Sequence, residues 1–254
     1  MIRLLSGFTA VLAALLLAGC GEARDTGELL NQASRQLAAG KYTQSLATAD
    51  LAVRNAPDRF DALLMRAIAQ ERTGRPDLAL ASALEAEKLA PVSFAVQYTL
   101  GRLYAADRKT HPQALMALSK ALAIRPGDRN VLILQANVYM GLRPAYAMQI
   151  LKQLSRDTAL ASSAGYSNEL GVSQLLCGQI RDGGAQLNQA VMRAPRNPVF
   201  RLNYARYLDF YARQPTAALV HYQTYLGLSQ NLPGHDNYRK WAAARCSEIQ
   251  NRRR

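Results

Sequence analysis

Cysteine and histidine are the residues most able to carry metal or nucleophilic chemistry, and each occurs three times in 254 residues. His111, His221 and His235 have no Cys or carboxylate at ligand spacing, and Cys20, Cys177 and Cys246 lie far apart, so no metal and no cofactor is expected. The chain has no phosphate-cradling glycine loop, no Gly-x-Ser-x-Gly elbow, no Ser-x-x-Lys and no His-Glu-x-x-His, the spacings at which a nucleophile or metal could be activated. An enzyme is therefore not expected. His111 is expected in a loop, His221 on a helix and His235 in a turn, as surface or packing residues. Cys177 and Cys246 could form a disulfide if the final helix folds back, or stand as independent, partly buried thiols. Gly183-Gly184 falls on a helical face and is expected to serve close packing rather than a ligand.

Cys20 stands in a different setting. A lone cation, Arg3, precedes the apolar run Phe8 to Ala18, which is shorter than the roughly 20 residues a spanning helix needs. The run ends Leu17-Ala18-Gly19-Cys20, which resembles the bacterial lipobox. An ordinary secretory signal with an incidental Cys, or a buried helix, would share the apolar run. The lipobox resemblance implies that residues 1–19 are removed and that Cys20 becomes a triacylated N-terminus on a short tether, residues 20–25. Three chains, at about 0.8 kcal/mol per buried methylene, hold almost permanently where one holds reversibly. Gly21, where an Asp would favour retention in such lipoproteins, implies the periplasmic face of the outer membrane.

The elements that would position any site follow from a repeat. Pro57, Pro91, Pro126 and Pro195 are spaced by 34, 35 and 69 residues, the last close to two periods. Five, eight and twelve residues before them stand Ala52, Ala49 and Ser45; Ala86, Ala83 and Ala79; Ala121, Leu118 and Ala114; Ala190, Leu187 and Gly183. These offsets share one helical face, and mostly small side chains there admit a neighbouring helix. Gly40, Gly74 and Gly178 sit seventeen residues before three of the prolines, where a tight turn between two helices needs them. A companion set, Leu29 and Ala33, Leu63 and Ala67, Leu100, Gly101 and Tyr104, Leu132, Ala136 and Tyr139, Leu170, Gly171 and Gln174, marks the helix before each turn.

This pattern resembles the tetratricopeptide repeat (TPR). The resemblance implies an all-α, right-handed superhelical solenoid of about six helix-turn-helix units over 26–232, with a C-terminal capping helix and basic tail over 233–254. Trp241 and Ile249 are expected to face the last repeat. The third unit has an extra residue near Arg108 to His111, the fourth lacks a closing proline, and the sixth offers Tyr222 and Tyr225 where small residues are usual.

In such solenoids the fifth and ninth positions of the first helices line the concave groove. Counted that way, the partner-binding residues are Tyr98 and Arg102, Ile133 and Asn137, Asn168 and Val172, and Leu202 and Arg206. A ring, guanidinium groups, amides and aliphatic surface suit an extended peptide or a helix of a protein partner. The Lys/Asn cluster of chaperone-tail binding is missing.

Lys+Arg 31 against Asp+Glu 18, with only six of the cations Lys, leaves a surplus carried by Arg. Arg201, Arg206 and Arg213, with Arg252-Arg253-Arg254, suit an anionic lipid, glycan or acidic protein face, or are a solvated surface. Nucleic acid is not expected as a partner, because the cations are scattered and the lipobox implies export. Size, lipobox and repeat number resemble the pilotin-like lipoproteins of type IV and tight-adherence (Flp) pili, which help a secretin reach or assemble in the outer membrane. The alternative expectation is an adaptor or regulator of peptidoglycan-synthesis or other envelope enzymes.

Overall fold

The structure, a computed structural model, describes residues 25–252. The expected signal segment 1–19, Cys20 and the tether as far as residue 24 lie outside the described residues, as do Arg253 and Arg254. Among the described residues there are fourteen α-helices, one 3-10 helix and one π-helix, with no strand. None of those helices is long and apolar enough to cross a membrane.

Five hairpins are α1 (Thr26–Ala38) with α2 (Tyr42–Asn55), α3 (Phe60–Arg72) with α4 (Pro76–Leu89), α7 (Arg129–Leu142) with α8 (Pro144–Leu154), α10 (Ala164–Leu176) with α11 (Ile180–Arg193), and α12 (Pro198–Arg206) with α13 (Pro215–Ser229). A further pair is α5 (Phe94–Ala105) and α6 (His111–Ile124), joined by the 3-10 turn Arg108–Thr110 at the extra residue of the third unit. The unit lacking a closing proline is followed by the short α9 (Thr158–Ala161), and α14 (Asp236–Asn251) packs on α13.

Contacts divide the chain into two units, residues up to Ala106 with Met116–Arg125, and Asp107–Leu115 with the residues from Pro126 onward. In the first unit α2 packs on α3 and α4 on α5; in the second α8 packs on α10 and α11 on α12.

The prolines end helices as the spacing requires. Helices α2, α4, α6 and α11 stop two residues before Pro57, Pro91, Pro126 and Pro195. The residue between is pushed out of helical geometry, with φ/ψ of −146/81 at Ala56, −140/68 at Ala90 and −136/72 at Ala194, because the proline ring clashes with a helical predecessor. The small-residue faces are buried in full: Ser45, Ala49, Ala52, Ala79, Ala83, Ala86, Ala114, Leu118, Ala121, Leu187 and Ala190 are all inaccessible to solvent. The backbones of α10 and α11 come close together: a Cβ on Gly171 would lie 2.9 Å from the Gly183 carbonyl oxygen. On Gly184 a Cβ would meet the Tyr207 ring at 2.0 Å, so this pair serves packing.

Gly40, Gly74 and Gly178 turn the hairpins with φ of 72°, 75° and 78°. In the last hairpin the equivalent residue is Arg213, at φ 57° the only non-glycine with positive φ among the described residues. Upstream of it α12 continues into a π-helix over Tyr207–Tyr211, closed by Ala212 N–H donating to the Tyr207 carbonyl at 3.0 Å. The π-turn absorbs a residue beyond the usual period.

One expectation needs correction. His111 is not in a loop: it opens α6, is 7% exposed, and its Nδ1 has no partner among the described residues. Trp241 faces the last repeat as expected, edge-on to Tyr222 at 5.5 Å with 39% of its surface exposed, and Ile249 is buried against the same repeat.

Candidate interaction surface

The eight expected groove residues divide into three groups. Tyr98 and Arg102 belong to the first unit. Tyr98 is half-buried and stacks on Phe94, with centroids 6.0 Å apart and planes 3° from parallel, and Arg125 lies 4.1 Å over the other ring. Arg102 reaches Glu71 of the preceding hairpin at 2.6 Å, so its charge is neutralised across α3 and α5. Nearby, Glu87 accepts from Gln97 at 2.9 Å and Lys120 at 2.9 Å. Those bonds, the Gln97 amide first, hold its carboxyl below the ordinary carboxylate range.

Ile133 and Val172 are half-buried and Asn137 and Arg206 exposed, all in the second unit. Arg206 sits 6.0 Å over the Trp241 ring, which also lies 6.2 Å from Phe210. Guanidinium and indole thus form an aromatic-cationic surface on α12, the π-helix and α14.

Asn168 and Leu202 require correction, because neither side chain lies on an open groove. Asn168 is 2% exposed; its Oδ1 accepts from Asn203 Nδ2 at 2.9 Å and its Nδ2 donates to Glu169 at 3.3 Å. It joins the first helices of adjacent repeats. Burial, with the Asn168 bond as its only relief, pushes the Glu169 carboxyl above its ordinary value. Leu202 is 6% exposed within a cluster of Ala205, Tyr222, Ala242 and Ile249, because α14 covers the end of this repeat.

Sequence reasoning missed the interaction that fixes that end. Asp209, on the π-helix, points inward with its side chain 1% exposed, accepting Arg245 Nε and Nη2 at 2.7 and 2.8 Å and the Tyr222 hydroxyl at 3.1 Å. Tyr222 and Tyr225 therefore replace small residues with rings that bring a polar tip to a buried partner: the Tyr225 hydroxyl lies 3.2 Å from His235 Nδ1. The Tyr222 phenol is pushed up, by burial first and then by Asp209. The one signal in the sequence was an acid within the aromatic stretch Tyr207-Leu-Asp-Phe-Tyr211.

The remaining reactive residues are used in packing. His221 Nδ1 lies 3.0 Å from Arg201 and its ring meets Tyr204 edge-on; burial, then the Arg201 charge, lowers its pKa. Cys177 and Cys246 are free thiols, the first half-buried after α10, the second in the Leu202 cluster with its pKa raised by burial. Among the described residues no three His, Cys, Asp or Glu side chains are placed to hold a metal ion.

Paired helices stacked through small-residue faces, with positive-φ turns one period apart, decide the architecture. The fold is that of a tetratricopeptide-repeat solenoid. PilW, a widely conserved type IV pilus biogenesis factor, superposes with a TM-score of 0.70 at 17% identity, covering 89% of this chain and 99% of its own. For PilF of Pseudomonas aeruginosa the values are 0.64, 18%, 88% and 98%. The Cut9-Hcn1 structure of the APC/C superposes at 0.73 and 15% identity over 95% of this chain, which spans only 46% of that one. No family model matches the sequence, and no curated protein matches it.

Proposed function

We propose that this TPR chain is a non-catalytic scaffold, held by acyl chains on Cys20 at the periplasmic face of the outer membrane, that grips a segment of an envelope protein and aids assembly or placement of a pilus or secretion complex. The observation that carries the reading is extent: the superposition on the two pilus proteins takes in 98% and 99% of their lengths. The lipobox-like sequence before Cys20 supports the same address. Available contact groups are Tyr98 in the first unit, and Ile133, Asn137 and Val172 in the second; these are half-buried or exposed.

Photo-crosslinkable residues at Tyr98 and Asn137 of the full chain, with Met192, 72% exposed on α11, as reference, test this in living cells. The expected result is capture of a secretin or pilus component from Tyr98 or Asn137 and not from Met192. Capture of a cell-wall synthase would replace the pilus reading with the adaptor reading, and equal capture from all three positions would remove the groove. Cys20→Ala should move the chain into the soluble periplasmic fraction; retention in membranes would defeat the anchoring.

A further inference from the structure

At the end of the second unit a cavity of about 350 Å³ is lined by Asp209, Arg213, Pro215, Thr216, Arg245 and Arg252, with Ile249 beside them. Its volume lies in the range of small-molecule sites. Asp209 and Arg245 neutralise one another through two hydrogen bonds. Arg213 and Arg252 form no ion pair or side-chain hydrogen bond among the described residues, so the lining holds three guanidinium groups against one carboxylate; Arg252 acts on Asp209 through its charge alone, and Glu248, outside the lining, is held by Arg245. Thr216 stands in the first turn of α13, a 15-residue helix with no side-chain cap at its N-terminus, so the positive end of the helix dipole opens beside the same cavity.

The identity of residue 213 adds a separate observation. Glycine occupies the equivalent turn position at Gly40, Gly74 and Gly178, each with φ above 70°. Arg213 holds the same left-handed backbone with a side chain that such a conformation disfavours, and that side chain lines the cavity.

We propose that this cavity binds a phosphate group. Two guanidinium groups outside any ion pair offer N–H donors to its oxygens, the excess of guanidinium over carboxylate in the lining favours an anion, and the uncapped helix end adds attraction of the same sign. The group could be free, a soluble monoester, or the terminal monoester phosphate of a lipid headgroup; the exposed oxygens and the charge recognised are shared by these. The inference does not depend on the proposed pilus role.

Calorimetric titration of the full-length Cys20→Ala chain with inorganic phosphate, at low salt, is the test. Arg213→Gly and Arg252→Gln should each weaken binding at least tenfold, while Arg156→Gln, an exposed arginine elsewhere, leaves it unchanged. Arg213→Gly should also raise the melting midpoint, since glycine relieves the turn; weaker binding in a better-folded variant separates recognition from damage. Flotation with vesicles containing phosphatidic acid, whose headgroup is a phosphate monoester, against phosphatidylcholine vesicles identifies the source. Vesicle binding lost in both variants assigns a lipid headgroup, and phosphate binding without vesicle binding assigns a free or soluble phosphate. No phosphate binding, binding indifferent to Arg213 and Arg252, or equal weakening by Arg156→Gln overturns the proposal.

Discussion

Arg245 closes over both carboxylate oxygens of Asp209, Nε to Oδ2 at 2.7 Å and Nη2 to Oδ1 at 2.8 Å, while its Nη1 reaches Glu248 at 2.7 Å. The Asp209 side chain is 1% exposed and that of Arg245 18%, so water does little to replace a lost partner. The pair joins the π-helix to α14 across 36 residues of sequence.

Arg245→Met should therefore cost about 3–5 kcal/mol, the range for stranding one member of a buried ion pair. Hydrogen exchange should localise the loss to α13 and α14, with α1–α4 protected as in the parent. A change below 1 kcal/mol would mean that Asp209 finds water or another cation.

The same carboxylate sets a pH dependence. Burial pushes the Asp209 carboxyl up, but the hydrogen bonds and charge of Arg245, with the Tyr222 hydroxyl and the charge of Arg252, outweigh it and hold the group below its ordinary range. The unfolded chain takes up this proton near pH 4 and the folded chain only at lower pH. The stabilisation is thus complete above about pH 5 and is lost as pH falls through the folded value. Melting midpoints measured from pH 7 to 2 should fall more steeply for the parent than for Asp209→Asn, the curves converging at the acid end. Parallel curves would remove Asp209 as the group responsible.

Two glycines of α10 should respond to alanine with opposite signs. At Gly171 a Cβ meets the Gly183 carbonyl oxygen at 2.9 Å and the Leu187 backbone nitrogen at 3.0 Å, and backbone atoms cannot swing aside. Gly171→Ala should destabilise by about 1–3 kcal/mol, as overpacking does. Gly165 has open space within 4 Å, so Gly165→Ala should stabilise by about 0.5–1 kcal/mol through reduced unfolded-chain entropy and better helix propensity. Denaturant midpoints of the two variants check both signs, and a stable Gly171→Ala would show that the helices can separate.

The repeat was legible because its residues act through strong local rules. Proline stops a helix wherever it falls, glycine opens a left-handed turn, and alanine faces must pack on something, so Pro57, Gly74 and Ala83 each carried their own meaning. Groove exposure was harder to read, since a side chain's accessibility depends on its neighbour. Asn168 is occupied by Asn203, 35 positions away, and Leu202 by a helix that the repeat pattern does not contain. The π-turn was hidden for another reason: a hydrogen bond five residues back has no compositional signature. Arg213 could not be recognised as a turn residue while the period was counted without that extra position.

The extra residue in Tyr207–Tyr211 has a geometric consequence. One added position advances the direction of every later side chain by about 100°, and the five residues of the wide turn share out that rotation. An acid is aimed at the interior while Phe210 and Tyr211 remain outside, 43% and 41% exposed. A change in local length has thus become a division of labour, with one neighbour sealing the end of the stack and two others presenting rings to whatever comes against it.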